Sequence, residues 1–301
     1  MPDALQNPNT TYLSPYKGPP RKRRKIALVI GSGGVKCAAA IGLRRVLERE
    51  GIRLDLLVGC SGGSLYAATH ALGLSLDETE NLTRELWTKE VMAKRDTRAL
   101  FGMAFPKLSK FEGSFGMVDD RPLGKALERA FGETRIEDAK LPLKIAATDF
   151  SSGQRVVLED GLLRDAIRAS VAVPFVWRPW PVEGRLLCDG CVSSPMPVDV
   201  AIQEGADLIL TMGFEAQNPK EISSGLKLAF HVMGVYTNNL YRANYAFHNL
   251  AHHAEIVPIL PEFDEPVGLF STHKIPYAVE RGEEAAEAAV PFLRRLMAPS
   301  A

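Results

Sequence analysis

The chain has 301 residues, 46% of them hydrophobic and 24% charged, with a net charge of zero. Such a composition supplies a core of ordinary size and excludes disordered and fibrous classes. The neutral total hides an asymmetry, because the first 25 residues carry six Lys/Arg against Asp3 alone and leave 30 basic and 35 acidic residues for the rest.

Residues 1–24 read as a mobile arm. Five of the first 20 residues are proline and aliphatic side chains are few, so little apolar burial is available to offset the entropy of ordering them. The basic run Arg21-Lys22-Arg23-Arg24-Lys25 suits a solvated linker or a segment drawn to anionic headgroups; nucleic acid is the least favoured partner. The arm is not the start of a secretory signal, since the apolar stretch Ile26–Ile30 ends after five residues at Gly31-Ser32-Gly33-Gly34. No segment offers the ~18 consecutive apolar residues of a spanning helix. A cytoplasmic protein, peripheral to membranes where it meets them, is the expectation.

From Lys25 the pattern is strand, Gly-rich turn, helix. Ile26–Ile30 is a continuous aliphatic run, as in a parallel strand covered on both faces. Cys37–Glu50 then places Ala39, Leu43, Val46 and Leu47 on one helical face. The cycle repeats at once, with a strand over Asp55–Val58, a turn at Gly59–Gly63 and an Ala-rich helix over Ser64–Leu72. Two consecutive β-turn-α units imply an α/β fold with a mostly parallel sheet. Residues 76–140 look largely helical around an apolar middle at 99–105. Strands return at Leu143–Ala147, Gln154–Leu158, Leu186–Leu187 and, after a helix over Val198–Glu204, Leu208–Met212. A long helix over Leu226–Ala251, a strand at Ala254–Ile259 and a closing helix over Pro276–Met297 follow. With no repeat and no linker after the arm, residues 25–301 read as one domain.

Gly59-Cys60-Ser61-Gly62-Gly63 is a G-x-S-x-G sequence between a strand and a helix, and its small residues permit the tight corner that projects a serine hydroxyl. The N–H of Gly62, at the positive end of the helix, can donate to a developing oxyanion there. The alternative for this motif alone is a serine N-cap at a glycine turn. Gly31-Ser32-Gly33-Gly34-Val35-Lys36 gathers unpaired N–H groups in one concavity, which suits a phosphate or an oxyanion. It is not a Walker loop, because Val35 precedes Lys36 and Cys37 follows it; nor is it a dinucleotide fingerprint, because Lys36 takes the third glycine position. Lys36 opposes the helix dipole by ~0.3–1 kcal/mol, a placement that points to attraction of an anionic substrate.

Cys188-Asp189-Gly190-Cys191 closes a short strand, and Asp-Gly alone is an ordinary turn signal. Its C-x-x-C spacing suits zinc or redox chemistry. With no second pair and no neighbouring histidine, however, Cys37, Cys60, Cys188 and Cys191 read as buried small thiols. No cofactor or metal is expected, and no run of close carboxylates suggests calcium.

The ordered set of strand, GSGGVK, helix, GCSGG, helix, ATDFSSG and Asp189-Gly190 resembles the patatin-like phospholipase family over about residues 25–215. Further agreement lies in Ala166-Ile167-Arg168-Ala169-Ser170 with Val173-Pro174, and in Ser194-Pro195-Met196-Pro197 before Gly205-Ala206-Asp207. The resemblance implies a three-layer α/β/α fold and a serine acyl hydrolase cleaving carboxylic esters of phospholipids or lysophospholipids. It implies Ser61 as nucleophile, Asp189 as base, and an oxyanion hole at Gly31, Gly33 and Gly34 beside Gly62. Gly59, Gly63 and Gly190 complete the motifs. Ser32 and Cys37 stand where the family usually has glycine, and Cys191 replaces the last residue of its D-G-G/A motif; all three are small, which preserves the backbone path and bears on pocket volume and sensitivity to oxidation.

None of His70, His231, His248, His252, His253 and His273 sits in a recognisable catalytic turn, and Ser61 follows only the second strand, so a dyad is favoured over a triad. His252 and His253 are the remaining triad candidates. An aspartate base must be partly desolvated, since burial raises its pKa from about 3.9. The 99–105 segment with Phe111 and Phe115 lines an acyl groove, dips into a membrane surface or is ordinary helical core. The expected partner is thus the lipid ester itself, with peripheral membrane contact; the sequence sets no oligomeric state. A catalytically silent lipid-binding protein on the same fold is the alternative, and retention of both Ser61 and Asp189 counts against it.

Overall fold

The computed structural model describes residues 23–93, 96–97, 115–217, 221–251, 254–268 and 271–297. The expected arm up to residue 22, the 99–105 segment, Phe111 and His252–His253 lie outside the described residues.

Side chains alternate across a strand, so a strand buried at every position serves two layers. In β1 (Ile26–Ile30), Ile26, Leu28 and Ile30 join one apolar cluster while Ala27 and Val29 join another. The same split runs through β2 (Leu56–Cys60) and β7 (Leu208–Met212): Leu57, Leu208, Leu210 and Met212 face the first cluster, and Leu56, Val58 and Ile209 the second. That double burial is the physical reason Ile26–Ile30 appears in the sequence as an unbroken aliphatic run, and why β2 and β7 depart from one only at Gly59-Cys60 and Thr211.

Parallel pairing joins β1 to β2 and β7, β2 to β3 (Leu143–Asp149), and β7 to β8 (Glu255–Ile259). β4 (Arg155–Leu158), β5 (Trp180–Val182) and β6 (Arg185–Asp189) add antiparallel pairs beside β3. The order is β5-β6-β3-β2-β1-β7-β8, with β4 also on β3. The fold is therefore α/β with a mostly parallel central sheet flanked by helices.

The first cluster is covered by α1 (Ala39–Arg49), α2 (Gly62–Ala71), α3 (Leu76–Leu86), α5 (Arg121–Phe131), α6 (Leu163–Ser170) and α9 (Ile275–Met297), with the short α4 (Lys89–Ala93) beside them. The second lies under α7 (Val198–Gln203) and part of the long α8 (Gly225–Ala251), which borders both clusters. The five-residue turn expected at Gly59–Gly63 contracts to Ser61 alone, because β2 runs through Cys60 and α2 begins at Gly62. β5 and α6 have no counterpart in the sequence reading. The first is three residues of Trp-Pro-Val, and the eight residues of the second are too few for a helical period to show.

Candidate active site

Loops that leave the C-terminal ends of adjacent parallel strands lie side by side, and the Gly-rich loop after β1 and the serine corner after β2 are such a pair. Ser61 has φ 55° and ψ −132°, a conformation L residues take only when their surroundings hold them there. Three contacts do so. Its N–H donates to Ser170 Oγ at 2.8 Å, and that hydroxyl donates onward to the Ala146 carbonyl at 2.7 Å. Its carbonyl accepts from the N–H and hydroxyl of Ser64 at 2.9 and 2.6 Å. Ser61 thus caps α2 with its backbone, and its side chain makes no capping bond. The glycines around it allow backbone to meet backbone: a Cβ at Gly63 would overlap the Ile30 carbonyl oxygen, one at Gly62 would stand 2.7 Å from that of Gly34, and one at Gly59 2.5 Å from Ser64 Cα.

Asp189 reaches this corner through strand register. Along β3, Cys60 pairs with Ala146 and Asp189 with Ala147, so β2 and β6 end at neighbouring rungs. Gly190 keeps the approach close, since a Cβ there would lie 2.5 Å from the Ala146 carbonyl oxygen and 2.9 Å from Cys60 Sγ. The Ser61 hydroxyl donates to Asp189 Oδ2 at 2.6 Å across 128 positions of sequence. The Cys191 N–H donates to Oδ1 at 2.8 Å, and the Asp189 backbone is held by Thr148 Oγ1 at 2.9 Å and the Ala172 carbonyl at 3.0 Å. Asp189 is fully buried and Ser61 nearly so. Burial pushes the carboxyl from 3.8 up to about 6, against the opposing pull of the Ser61 hydroxyl and the Cys191 N–H. The group is ionised at neutral pH, yet accepts a proton more readily than an ordinary aspartate. No histidine among the described residues hydrogen-bonds either side chain.

The Gly-rich loop divides its N–H groups between those that hold backbone acceptors and those left without a partner. Gly31, grouped on sequence with the oxyanion donors, is corrected here: its N–H donates to the Met212 carbonyl at 2.9 Å, one step beyond the β1–β7 ladder. The Ser32 N–H likewise goes to the Pro195 carbonyl at 2.8 Å. Among the described residues the N–H groups of Gly33, Gly34 and Gly62 have no partner, and Gly34 takes φ 57°. These three free amides flank the Ser61 corner. Lys36 is also corrected. It is buried, its Nζ donates to the Glu215 carbonyl at 2.7 Å and lies 5.6 Å from the Phe263 ring centre. Burial lowers its pKa. The ammonium ties the loop to the chain after β7, where the sequence suggested an anionic substrate.

All four cysteines are buried and form no disulfide. Burial, reinforced by the Asp189 charge, raises the pKa of each, that of Cys188 to about 12, so none has the thiolate character of a reactive cysteine. Among the described residues no group of three or more His, Cys, Asp or Glu could hold a metal ion. Ser170 and Thr148, which fix Ser61 and Asp189, received no role from the sequence. The signal was a hydroxyl at the end of an apolar run, since a buried hydroxyl needs partners.

Residues 28–202 match the family described as patatin-like phospholipase. Patatin-like phospholipase domain-containing protein 6 of Mus musculus is 30% identical over 201 residues, covering 66% of this chain and 14% of the relative. An NTE family protein of Mycobacterium tuberculosis is 28% identical over 227 residues, covering 75% of this chain and 58% of the relative. The chain thus spans only a small part of the first relative and little more than half of the second. Among solved structures, VipD from Legionella pneumophila aligns with a TM-score of 0.49 at 12% identity, covering 89% of this chain and 67% of that one.

Proposed function

Because the chain belongs to the patatin-like phospholipase family, we propose that it is a serine acyl hydrolase that cleaves carboxylic esters of phospholipids or lysophospholipids through Ser61 and Asp189. The observation that carries this reading is the 2.6 Å bond from the Ser61 hydroxyl to a fully buried carboxylate. The free N–H groups of Gly33, Gly34 and Gly62 beside it add support.

Asp189 takes the hydroxyl proton as Ser61 Oγ attacks the ester carbonyl, and the amides stabilise the oxyanion, each worth on the order of 10²–10³ in rate. Collapse of the tetrahedral adduct breaks the ester C–O bond. The departing alkoxide takes the proton from Asp189 and leaves an acyl-Ser61. Water then attacks, gives its proton to Asp189, and the second adduct releases the carboxylic acid as Ser61 recovers its proton.

A fluorophosphonate probe tests the reading directly. We expect covalent labelling at Ser61 and loss of both labelling and ester hydrolysis in Ser61→Ala, with activity falling by at least roughly 10³-fold. Undiminished hydrolysis by Ser61→Ala would refute the assignment and favour a silent lipid-binding protein with a contaminating esterase.

A further inference from the structure

The helix α8 differs in composition from its neighbours. Over 27 residues it contains no Asp or Glu, and its only permanently charged side chains are Lys227 and Arg242. Both nitrogens of an Arg242 fork already meet Glu215, at 2.9 and 2.7 Å. The closing helix α9, of similar length, carries seven charged side chains.

The inner face of α8 is accounted for. Phe230 and Met233 pack on one core cluster and Tyr241 and Tyr245 on the other, while Asn238 exchanges hydrogen bonds of 2.7 and 2.9 Å with the Ala216 backbone. A water-facing helix puts charge on the opposite side. Here that side presents Leu228, Val232, Val235 and Tyr236 at i, i+4, i+7 and i+8, exposed by 49, 42, 42 and 72%. Ile222, just before the helix, is 44% exposed, and Phe247, three turns beyond Tyr236, is 62% exposed.

α8 also sits next to the serine site. Its Asn238 and Arg242 hold Ala216 and Glu215, and Phe214 of that same segment covers Gly33, where a Cβ would overlap the ring. Among the described residues no helix is long and apolar enough to cross a membrane. An apolar stripe on a folded body suits instead a helix lying in the interface plane.

We infer that the outer face of α8 docks on a phospholipid surface and so brings the Ser61 site to it; this rests on the lipid-ester reading of that site. A stripe without carboxylates meets no repulsion from lipid phosphates, and Lys227 at one end suits them. Tyr236, the most exposed member, has the amphipathic ring that favours headgroup depth. A second copy of the chain is the competing occupant.

Full-length Ser61→Ala protein, which binds without turnover, is sedimented with phosphatidylcholine vesicles and with phosphatidylcholine–phosphatidylglycerol vesicles. V232E/Y236E is compared in that background, and also with Ser61 intact on a soluble short-chain ester. We expect the wild-type face to partition to vesicles, more strongly to the anionic ones, and the double variant to lose roughly tenfold or more of that partitioning. Its turnover of the soluble ester and its thermal midpoint are expected to stay unchanged. Tyr236→Trp should retain binding. Equal partitioning of V232E/Y236E overturns the inference, as does a wild type that hydrolyses the soluble ester and binds neither vesicle. A solution dimer that the double variant dissolves, with no vesicle binding by either, assigns the face to a second copy and also overturns it. Loss of soluble-ester activity at Ser61 alone bears on the hydrolase reading, not on this one.

Discussion

Replacing Asp189 by asparagine separates the cost of burying a charge from the bonds the residue makes. The amide has nearly the same shape and can still accept from the Cys191 N–H, but it never ionises. The carboxyl sits at about 6 in the folded protein against an ordinary 3.8, a gap that corresponds to about 3 kcal/mol against the ionised folded state. Below 3.8 the group is protonated in both folded and unfolded chains, and its favourable contribution to stability is fully present. As pH rises from 3.8 through about 6 the unfolded chain ionises first and that contribution is lost. Asp189→Asn should therefore gain on the wild type across this window and level off above it. For a chain of this size the plateau is roughly 5 °C in melting temperature. The assay is thermal unfolding of both proteins on either side of the window, with ester hydrolysis measured in parallel. A difference that stays flat or falls with pH would refute the desolvated carboxylate, because lost hydrogen bonds give only a constant offset. A rising difference accompanied by collapse of activity is the expected result, stability being gained where function is lost.

Three further outcomes follow from the geometry. For a soluble ester, kcat/KM should rise about tenfold per pH unit up to about 6 and then level, since Asp189 must be ionised to take the Ser61 proton; a profile flat through that region points to another base. Ser170→Ala strands both the Ser61 N–H and the Ala146 carbonyl, costs about 1–3 kcal/mol in a denaturant titration, and lowers kcat more than it raises KM; an unchanged kcat removes Ser170 from the positioning of Ser61. Gly63→Ala drives a Cβ into the Ile30 carbonyl and should destabilise by about 1–3 kcal/mol. Gly124→Ala in α5 has open space and should stabilise by ~0.5–1 kcal/mol; thermal melts giving the two the same sign would refute the contact argument.

Local sequence carried the elements whose cause is local. Ile26–Ile30 and Leu208–Met212 are legible because burial on both faces leaves little room for polar residues, Thr211 being the one such side chain in the two strands. Gly59–Gly63 is legible because only small residues fit where Gly63 meets the Ile30 backbone. What distant register decides was not legible. Gly31 and Gly33 look alike as letters, and they differ because the ladder to β7 extends one residue past Ile30 and takes the Gly31 N–H. Lys36 looked like a substrate ligand because its acceptor, the Glu215 carbonyl, lies 179 positions away. The pairing of Ser61 with Asp189 was reached through family resemblance. From the residues alone, nothing in Leu186-Leu187 specifies which rung of β3 they will meet.

That register also bears on how the proposed chemistry would proceed without an imidazole. A histidine base has two tautomers and a ring free to turn, so it needs a third side chain to orient it. Asp189 needs no such partner. Its backbone is fixed by β3 pairing at Ala147, by Thr148 Oγ1 and by the Ala172 carbonyl, and its Oδ1 by the Cys191 N–H, which leaves Oδ2 aimed at Ser61. Orientation that a triad draws from a side chain is drawn here from the sheet. The proposed chemistry is accordingly most exposed to changes beneath it, at the buried residues Ala146, Ala147, Thr148 and Ser170. Polar substitutions on exposed helix surfaces away from the sheet should leave it intact.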